Sequence, residues 1–160
     1  MSRRTMASPI GPLVVTATAL GVSGVGWSDR AHTDDLDGSP AAAVMLDRTV
    51  QELTEYFAGE RTVFEVPIDR RARRGFRGEV LDALEQVRFG ETVTYGQLAQ
   101  RSGRPRAARA VGSAMATNPI AVVVPCHRVV PATGGIGHFG GGAEAKRTLL
   151  RLEGVSFVDG

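Results

Sequence analysis

Four arginines in five residues, Arg70-Arg71-Ala72-Arg73-Arg74, interrupt a 160-residue chain that otherwise runs in apolar repeats. A stretch so charged and so poor in apolar side chains cannot lie inside a core, so the chain must bury its apolar faces on either side of it. A chain of this length holds one domain, or a small domain and a slightly larger one. The break favours the second arrangement. The expected boundaries are a first domain over 1–68, a linker over 69–74 and a second domain over 75–160.

Charge follows the same division. Residues 1–60 carry 4 Arg against 8 Asp/Glu, a net −4, whereas residues 61–128 carry 12 Arg against 6 Asp/Glu, a net +6. Lys146 is the only lysine. A GC-rich genome accounts for arginine over lysine, but not for the gathering of charge in one segment. A local basic face suits a polyanion such as nucleic acid.

Before the break the pattern is mixed. Residues 13–19 and 22–27 are β-rich around a short Gly-containing turn and read as a hairpin. Residues 28–40 are a polar loop. Leu46, Val50, Leu53 and Phe57 then recur at helical spacing, with Gly59 as the stop. Thr62–Val66 reads as a further strand. Arg3 and Arg4 ahead of Leu13–Trp27, with Ala17-Thr18-Ala19, mimic a secretory signal, but Pro9, Gly11, Pro12 and two threonines argue for the strand pair. No apolar run approaches the ~18 residues of a membrane helix. The expectation is a cytoplasmic protein that meets no membrane.

After the break Phe76, Val80, Leu84 and Val87 form a helical stripe. Thr94-Tyr95-Gly96-Gln97 has the form of a capping box opening a short helix. Gly103-Arg104-Pro105 is a turn, with Pro105 near the first position of a helix over 106–116. Two short helices about such a turn are a helix-turn-helix candidate, a signal shared with many helical hairpins that never touch DNA. Ile120–Val124 reads as an apolar strand stopped by Pro125. Residues 131–142 hold six glycines and form a loop, and residues 143–153 form a last helix that stops at Gly154.

The chemistry centres on one sulfur. A single cysteine excludes an internal disulfide and a cysteine-rich zinc site, and His32, His127 and His138 show no ligand spacing, so neither metal nor cofactor is expected. A lone cysteine is usually a small buried hydrophobe. Cys126, however, follows a proline at a strand mouth and precedes His127 and Arg128, two cations that favour a thiolate. A water can relay its proton to the imidazole, and a carboxylate is needed to fix the imidazole tautomer. Several carboxylates qualify. The exposed face of the 106–116 helix is small (Ala107, Ala108, Ala110, Gly112, Ser113) around one long cation, Arg109. That composition suits either a core helix or a minor-groove reader that inserts one side chain into the base stack.

Pro125-Cys126-His127-Arg128-Val129 resembles the active-site signature of the O6-alkylguanine-DNA alkyltransferases. It occurs with Tyr95, Ala107-Ala108-Arg109-Ala110-Val111-Gly112, Asn118-Pro119, Gly141-Gly142 and Glu153, in that family's order and spacing. The likeness runs from about Phe76 to Gly154. Ser8-Pro9-Ile10-Gly11-Pro12 and Tyr56-Phe57-Ala58-Gly59 extend it weakly into the first domain.

The resemblance implies an α+β fold: a ribonuclease-H-like α/β N-terminal domain, then a mostly helical domain with a winged helix-turn-helix. It implies direct-reversal DNA repair. A monomer would meet duplex DNA through the minor groove and move an alkyl group from O6-alkylguanine onto Cys126, once per molecule and without a cofactor. O4-alkylthymine and cooperative assembly on DNA are left open.

By position, Cys126 would be the nucleophile, His127 its base through a water, and Glu153 the group orienting His127. Asn118 would hold the turn between the DNA-binding helix and the active-site strand. Tyr95 would help rotate the phosphate and donate to the leaving base. Arg109 would fill the gap left by the flipped base. Ala107, Ala108, Ala110, Gly112 and Arg128 would lie against DNA, and Val129, Met115, Phe139, Gly140 and Gly141 would line the pocket. Backbone groups of Cys126 and Val129 would read the guanine edge. Phe139 stands where the family often has Tyr, Gly140 where many members have Ser, and Ala121 where some have Pro. These departures bear on alkyl-size preference.

Three other readings remain at this point. They are an inert lesion-binding relative, a helix-turn-helix regulator with a structural cysteine, and a cysteine hydrolase that turns over.

Overall fold

The computed structural model describes residues 1–27 and 39–157, so most of the polar loop expected over 28–40, His32 included, lies outside the described residues. The chain divides into two compact units, Met1–Ala72 and Arg73–Gly160, and the division falls within the arginine run.

The first unit is a three-stranded antiparallel sheet with one long helix on it. Strands β1 (Ser2–Met6), β2 (Leu13–Thr18) and β3 (Gly21–Gly26) lie in the order β1-β2-β3, with an irregularity at Thr16/Ala17. β2 is central and buries Leu13, Val15 and Ala17 completely. Alternation of this kind is what a half-covered sheet requires. β1 is an edge strand bearing two arginines, and its polar sequence gave no alternating signal.

Helix α1 (Pro40–Phe57) starts where Ser39 Oγ accepts from the Ala42 N–H at 3.0 Å and Pro40 takes the first turn. Leu46, Leu53 and Tyr56 face the sheet. Gly21, at φ +141°, is required where it stands, because a Cβ there would lie 2.1 Å from the Pro67 carbonyl oxygen.

The strand expected at Thr62–Val66 is absent. Side chains take its ladder bonds. The Glu52 carboxylate accepts from the N–H groups of Glu65 (2.8 Å) and Val66 (3.0 Å), while Arg48 and Arg61 donate to the carbonyls of Glu65 and Val63. Only Ile68 pairs with the sheet, in a single parallel bridge to Val22.

The second unit is helical. Helix α2 (Gly75–Leu84) buries Val80, Leu81 and Leu84. A short parallel ladder joins β4 (Val93–Thr94) to β5 (Val129–Val130). Helix α3 (Tyr95–Arg101) opens on the expected capping box, with Thr94 Oγ1 accepting from the Gln97 N–H at 3.0 Å and Gln97 Oε1 from the Thr94 N–H at 2.9 Å.

Helix α4 (Ala108–Ala116) begins two residues later than its apolar pattern indicated. Arg104 to Ala107 close a separate turn, in which the Ala107 N–H reaches the Arg104 carbonyl, so Pro105 precedes the helix instead of starting it. Helix α5 (Ala143–Leu152) buries Leu149 and Leu150 and ends before Gly154, at φ +73°.

Ile120–Val124 is not a strand. The segment winds through tight turns, with the Val124 N–H on the Ile120 carbonyl at 2.9 Å and the Cys126 N–H on the Val124 carbonyl at 2.8 Å. Val122 sits at φ +72°, a conformation costly for a β-branched residue. An apolar run without periodicity marks burial, not extension.

Candidate active site

The turn that carries Cys126 is held by the side chain of Asn118, just past the end of α4. Its Nδ2 donates to the Val124 carbonyl at 2.9 Å, and its Oδ1 accepts from the Ile120 N–H at 3.1 Å. One amide therefore stands in for a ladder partner at both ends of the turn, and the strained Val122 lies between them. Pro125 and a 3-10 turn over Cys126–Arg128 follow.

That 3-10 turn sends successive side chains in different directions. Cys126 keeps 7% of its surface exposed, and His127 keeps none. His127 Nε2 lies 2.7 Å from Glu153 Oε2, and its Nδ1 is buried with no hydrogen-bond partner in the protein. Burial pushes the Glu153 carboxyl up, but the hydrogen bonds from His127 and Arg128 outweigh it and hold the group far below the usual carboxylate range. Glu153 is therefore ionised, Nε2 carries the proton that it accepts, and Nδ1 is the free basic nitrogen. Burial lowers the imidazole's own pKa despite the carboxylate, so the ring is neutral near pH 7. The Phe139 ring meets His127 edge-on, with centroids 6.5 Å apart.

Two expectations are corrected here. The first is that flanking cations would draw Cys126 toward thiolate. Burial instead raises its pKa, and the Asn118 side chain and Lys146 only partly offset it. A neutral His127 supplies no charge, so the thiol must lose its proton as it reacts.

The second concerns Arg128, which was expected against DNA. Its side chain is buried. Nε donates to Glu153 Oε1 at 2.8 Å, Nη2 to Glu153 Oε2 at 3.0 Å, and Nη1 to the Val87 carbonyl at 2.6 Å. A guanidinium buried and bonded through all three nitrogens inside the unit is not presented to a phosphate.

Lys146 has no counterpart among the expected residues. It is fully buried on α5, and its Nζ donates to the carbonyls of Val129 (2.7 Å) and His138 (3.2 Å). Burial brings its pKa down to about 8, against an opposing pull from Cys126. The Lys146–His138 bond fastens the glycine loop beside the thiol. The Val129 carbonyl, one of the expected base-reading groups, keeps its second lone pair. A signal for Lys146 exists in the sequence: with Leu149, Leu150 and Glu153 it recurs at helical spacing on the buried face, so a charge falls where the pattern asks for an apolar residue.

Tyr95, the first residue of α3, is half-buried, and its hydroxyl approaches the glycine loop at Gly137, where a Cβ would come within 3.2 Å of it. Burial and then the charge of Cys126 keep the phenol protonated, as a donor must be. On α4, Val111, Ala114 and Met115 face inward, while Ala108, Arg109, Ala110 and Ser113 are exposed, with Ala107 and Gly112 partly so. A Cβ added at Gly112 would meet nothing within 4 Å, so packing within the protein does not require glycine there. Phe139 and Gly141 are partly exposed and Gly140 exposed. Among the described residues no group of three or more His, Cys, Asp or Glu could hold a metal ion, and no helix is long and apolar enough to cross a membrane.

A buried His127–Glu153 pair in the turn that carries the single cysteine, in the unit that also holds the two short helices α3 and α4, is the site, and comparison gives the family. Residues 75–155 match the family model described as 6-O-methylguanine DNA methyltransferase, DNA binding domain, and residues 1–70 match that of the same family's ribonuclease-like domain. A methylated-DNA–protein-cysteine methyltransferase of Mycolicibacterium paratuberculosis is 41% identical over 94% of this chain and 90% of the relative. One of Methanosarcina acetivorans is 37% identical over 92% and 94%. Among solved structures, the Mycobacterium tuberculosis OGT in complex with DNA superposes with a TM-score of 0.82 at 40% identity, covering 94% of this chain and 91% of that one.

The chain belongs to the 6-O-methylguanine DNA methyltransferase family. Its activity is that of a methylated-DNA–protein-cysteine methyltransferase, a direct-reversal DNA repair enzyme.

Proposed function

We propose that the chain, acting as a monomer in the cytoplasm, flips O6-alkylguanine out of duplex DNA through the minor groove and transfers the alkyl group irreversibly to Cys126. The observation that carries this reading is the Glu153 carboxylate on His127 Nε2, which leaves a buried Nδ1 without a protein partner on the residue that follows the chain's single cysteine.

In the proposed step the Cys126 proton passes through a water to His127 Nδ1, and Glu153 stabilises the imidazolium. The sulfur then attacks the alkyl carbon in line. The new bond is S–C, the bond broken is C–O6, and its electron pair goes to the guanine. A proton donated by the Tyr95 hydroxyl meets the charge on the departing base. The thioether formed has no hydrolytic exit, so each molecule acts once and needs no cofactor.

The burial of the thiol suits this order of events. A resting thiol is protected from adventitious oxidation, and closure by an extruded base keeps bulk water away from the sulfur as it ionises. Asn118 keeps the reactive turn wound. Lys146 fixes the Val129 carbonyl and the glycine loop against the incoming purine. Val129, Met115, Phe139, Gly140 and Gly141 line the pocket, and Ala107, Ala108, Ala110 and Gly112 let α4 approach the groove floor. The proposed substrates include O4-alkylthymine as a lesser one.

The direct test is mass. Incubation with duplex DNA holding O6-methylguanine should add one methyl group per molecule, located by peptide mapping on Cys126. An unchanged mass, or turnover beyond one equivalent, would overturn the reading in favour of an inert or a hydrolytic relative.

Arg109 extends from the exposed face of α4 among alanines and is proposed to take the place of the flipped base. Arg109→Ala should slow repair of duplex DNA at least tenfold, since unstacking a base costs a few kcal/mol and its replacement in the stack offsets part of that. The free O6-alkylguanine base should react at the parent rate. Parent-like repair of the duplex would remove Arg109 from this role.

A further inference from the structure

We infer that Arg128 is a positioning residue for proton transfer: by occupying both oxygens of Glu153 it fixes which imidazole nitrogen is free and keeps that nitrogen unprotonated at physiological pH. The inference rests on His127 being the base, as proposed above.

Two effects of Glu153 on the ring conflict. A carboxylate on Nε2 orients the ring and selects its tautomer, but by itself it also favours the imidazolium. An imidazole that is already protonated cannot take the thiol proton. Arg128 resolves the conflict geometrically. Its Nε and Nη2 lie 2.8 and 3.0 Å from Oε1 and Oε2 of Glu153, so both oxygens are shared with a permanent cation while Oε2 still accepts from His127. The pair presents almost no net charge to the ring, yet keeps its hydrogen bond.

The remaining contacts hold this arrangement in place. Arg128 Nη1 donates to the Val87 carbonyl, and the Gly90 N–H donates to Glu153 Oε1 at 3.3 Å. The segment after α2 thereby clips the guanidinium on one side and the carboxylate on the other. The charged and titratable groups around His127 are Glu153 at the end of α5, Lys146 on α5, and Cys126 and Arg128 in its own turn. Arg128 and Lys146 both oppose protonation of the ring, Arg128 the more strongly. Arg128 is also bonded directly to the carboxylate that would otherwise drive protonation.

The test is the pH profile of single-turnover transfer for the parent, Arg128→Gln, Arg128→Lys and His127→Ala. In Arg128→Gln the acid limb should move up by about one pH unit, so that the rate at pH 6 falls several-fold relative to that at pH 8. Arg128→Lys keeps the charge and should leave the limb within a few tenths of the parent's, at a lower overall rate. A uniform loss of rate in Arg128→Gln, with the limb unmoved, would mean a merely structural role and would overturn the inference. Parent-rate transfer by His127→Ala would instead overturn the base assignment, and the two failures are therefore distinct. Should Arg128→Gln not fold, nitrogen-15 spectra of the parent histidines decide. The His127 ring must protonate below its ordinary value of 6.5, and a ring that protonates above that value overturns the inference.

Discussion

Cys126→Ser is expected to end transfer altogether while leaving a folded protein that still binds lesion-bearing DNA. The sulfur is replaced by a smaller oxygen, a hydroxyl is far harder to ionise than a thiol, and burial at 7% exposure penalises the anion further. The structural cost is that of putting a hydroxyl in a thiol's place, about 1–3 kcal/mol if it finds no partner. Asn118, whose side chain already pulls the thiol's pKa down, stands close enough to provide one. The check pairs two measurements: methyl transfer by intact mass, expected to be undetectable, and affinity for O6-methylguanine duplex, expected within a few-fold of the parent. Because the chain has a single cysteine, methylation of the variant would prove a nucleophile of another kind. Loss of both transfer and binding would show that the thiol supports the fold or the pocket, and that its chemistry had not been isolated.

Much of this architecture was legible in the residues, for identifiable reasons. The β2–β3 hairpin and α1 announce themselves because one face of each is covered and the other is not, which writes a period into the sequence. The Thr94 capping box was readable because its logic is local. The arginine run is legible as a stretch that no core can hold, and the chain divides into two compact units within it.

What escaped was fixed by partners distant in sequence. Ile120–Val124 is as apolar as a buried strand, yet it is wound because the Asn118 amide supplies the bonds that a neighbouring strand would have supplied. Thr62–Val66 lost its ladder to the Glu52 carboxylate in the same way. Local propensity carries no trace of either substitution. Arg128 was misread for a related reason. In a basic segment an arginine beside the active cysteine looks like a phosphate contact, and nothing nearby reveals that its counter-charge, Glu153, lies 25 residues on. Exposure leaves Arg109 available to the polyanion that the composition suggests, whereas the fold turns Arg128 inward.

Glu153→Gln should be the most damaging substitution that leaves Cys126 itself in place, because two buried cationic or polar donors depend on one carboxylate whose side chain is fully enclosed. Removing its charge strands the Arg128 guanidinium, and breaking a buried pair from one side costs about 3–5 kcal/mol. Chemistry suffers separately. An amide offers one acceptor and one donor, so with Arg128 claiming the oxygen, the NH2 faces His127 and favours the tautomer with Nε2 bare and Nδ1 protonated. That tautomer cannot accept the thiol proton, and a transfer rate lower by on the order of 10²–10⁴ follows.

The pH dependence has a definite sign. The folded carboxyl lies far below its ordinary value of 4.5, so its stabilising contribution is complete above that value and is lost as the pH falls below it. Urea denaturation of parent and variant should therefore differ by a constant amount from about pH 6 to pH 8, and the gap should narrow toward pH 3 as the parent alone loses stability. A gap that stays constant into acid would mean that Glu153 is not held ionised by His127 and Arg128. The assignment of Nδ1 as the free base would fall with it.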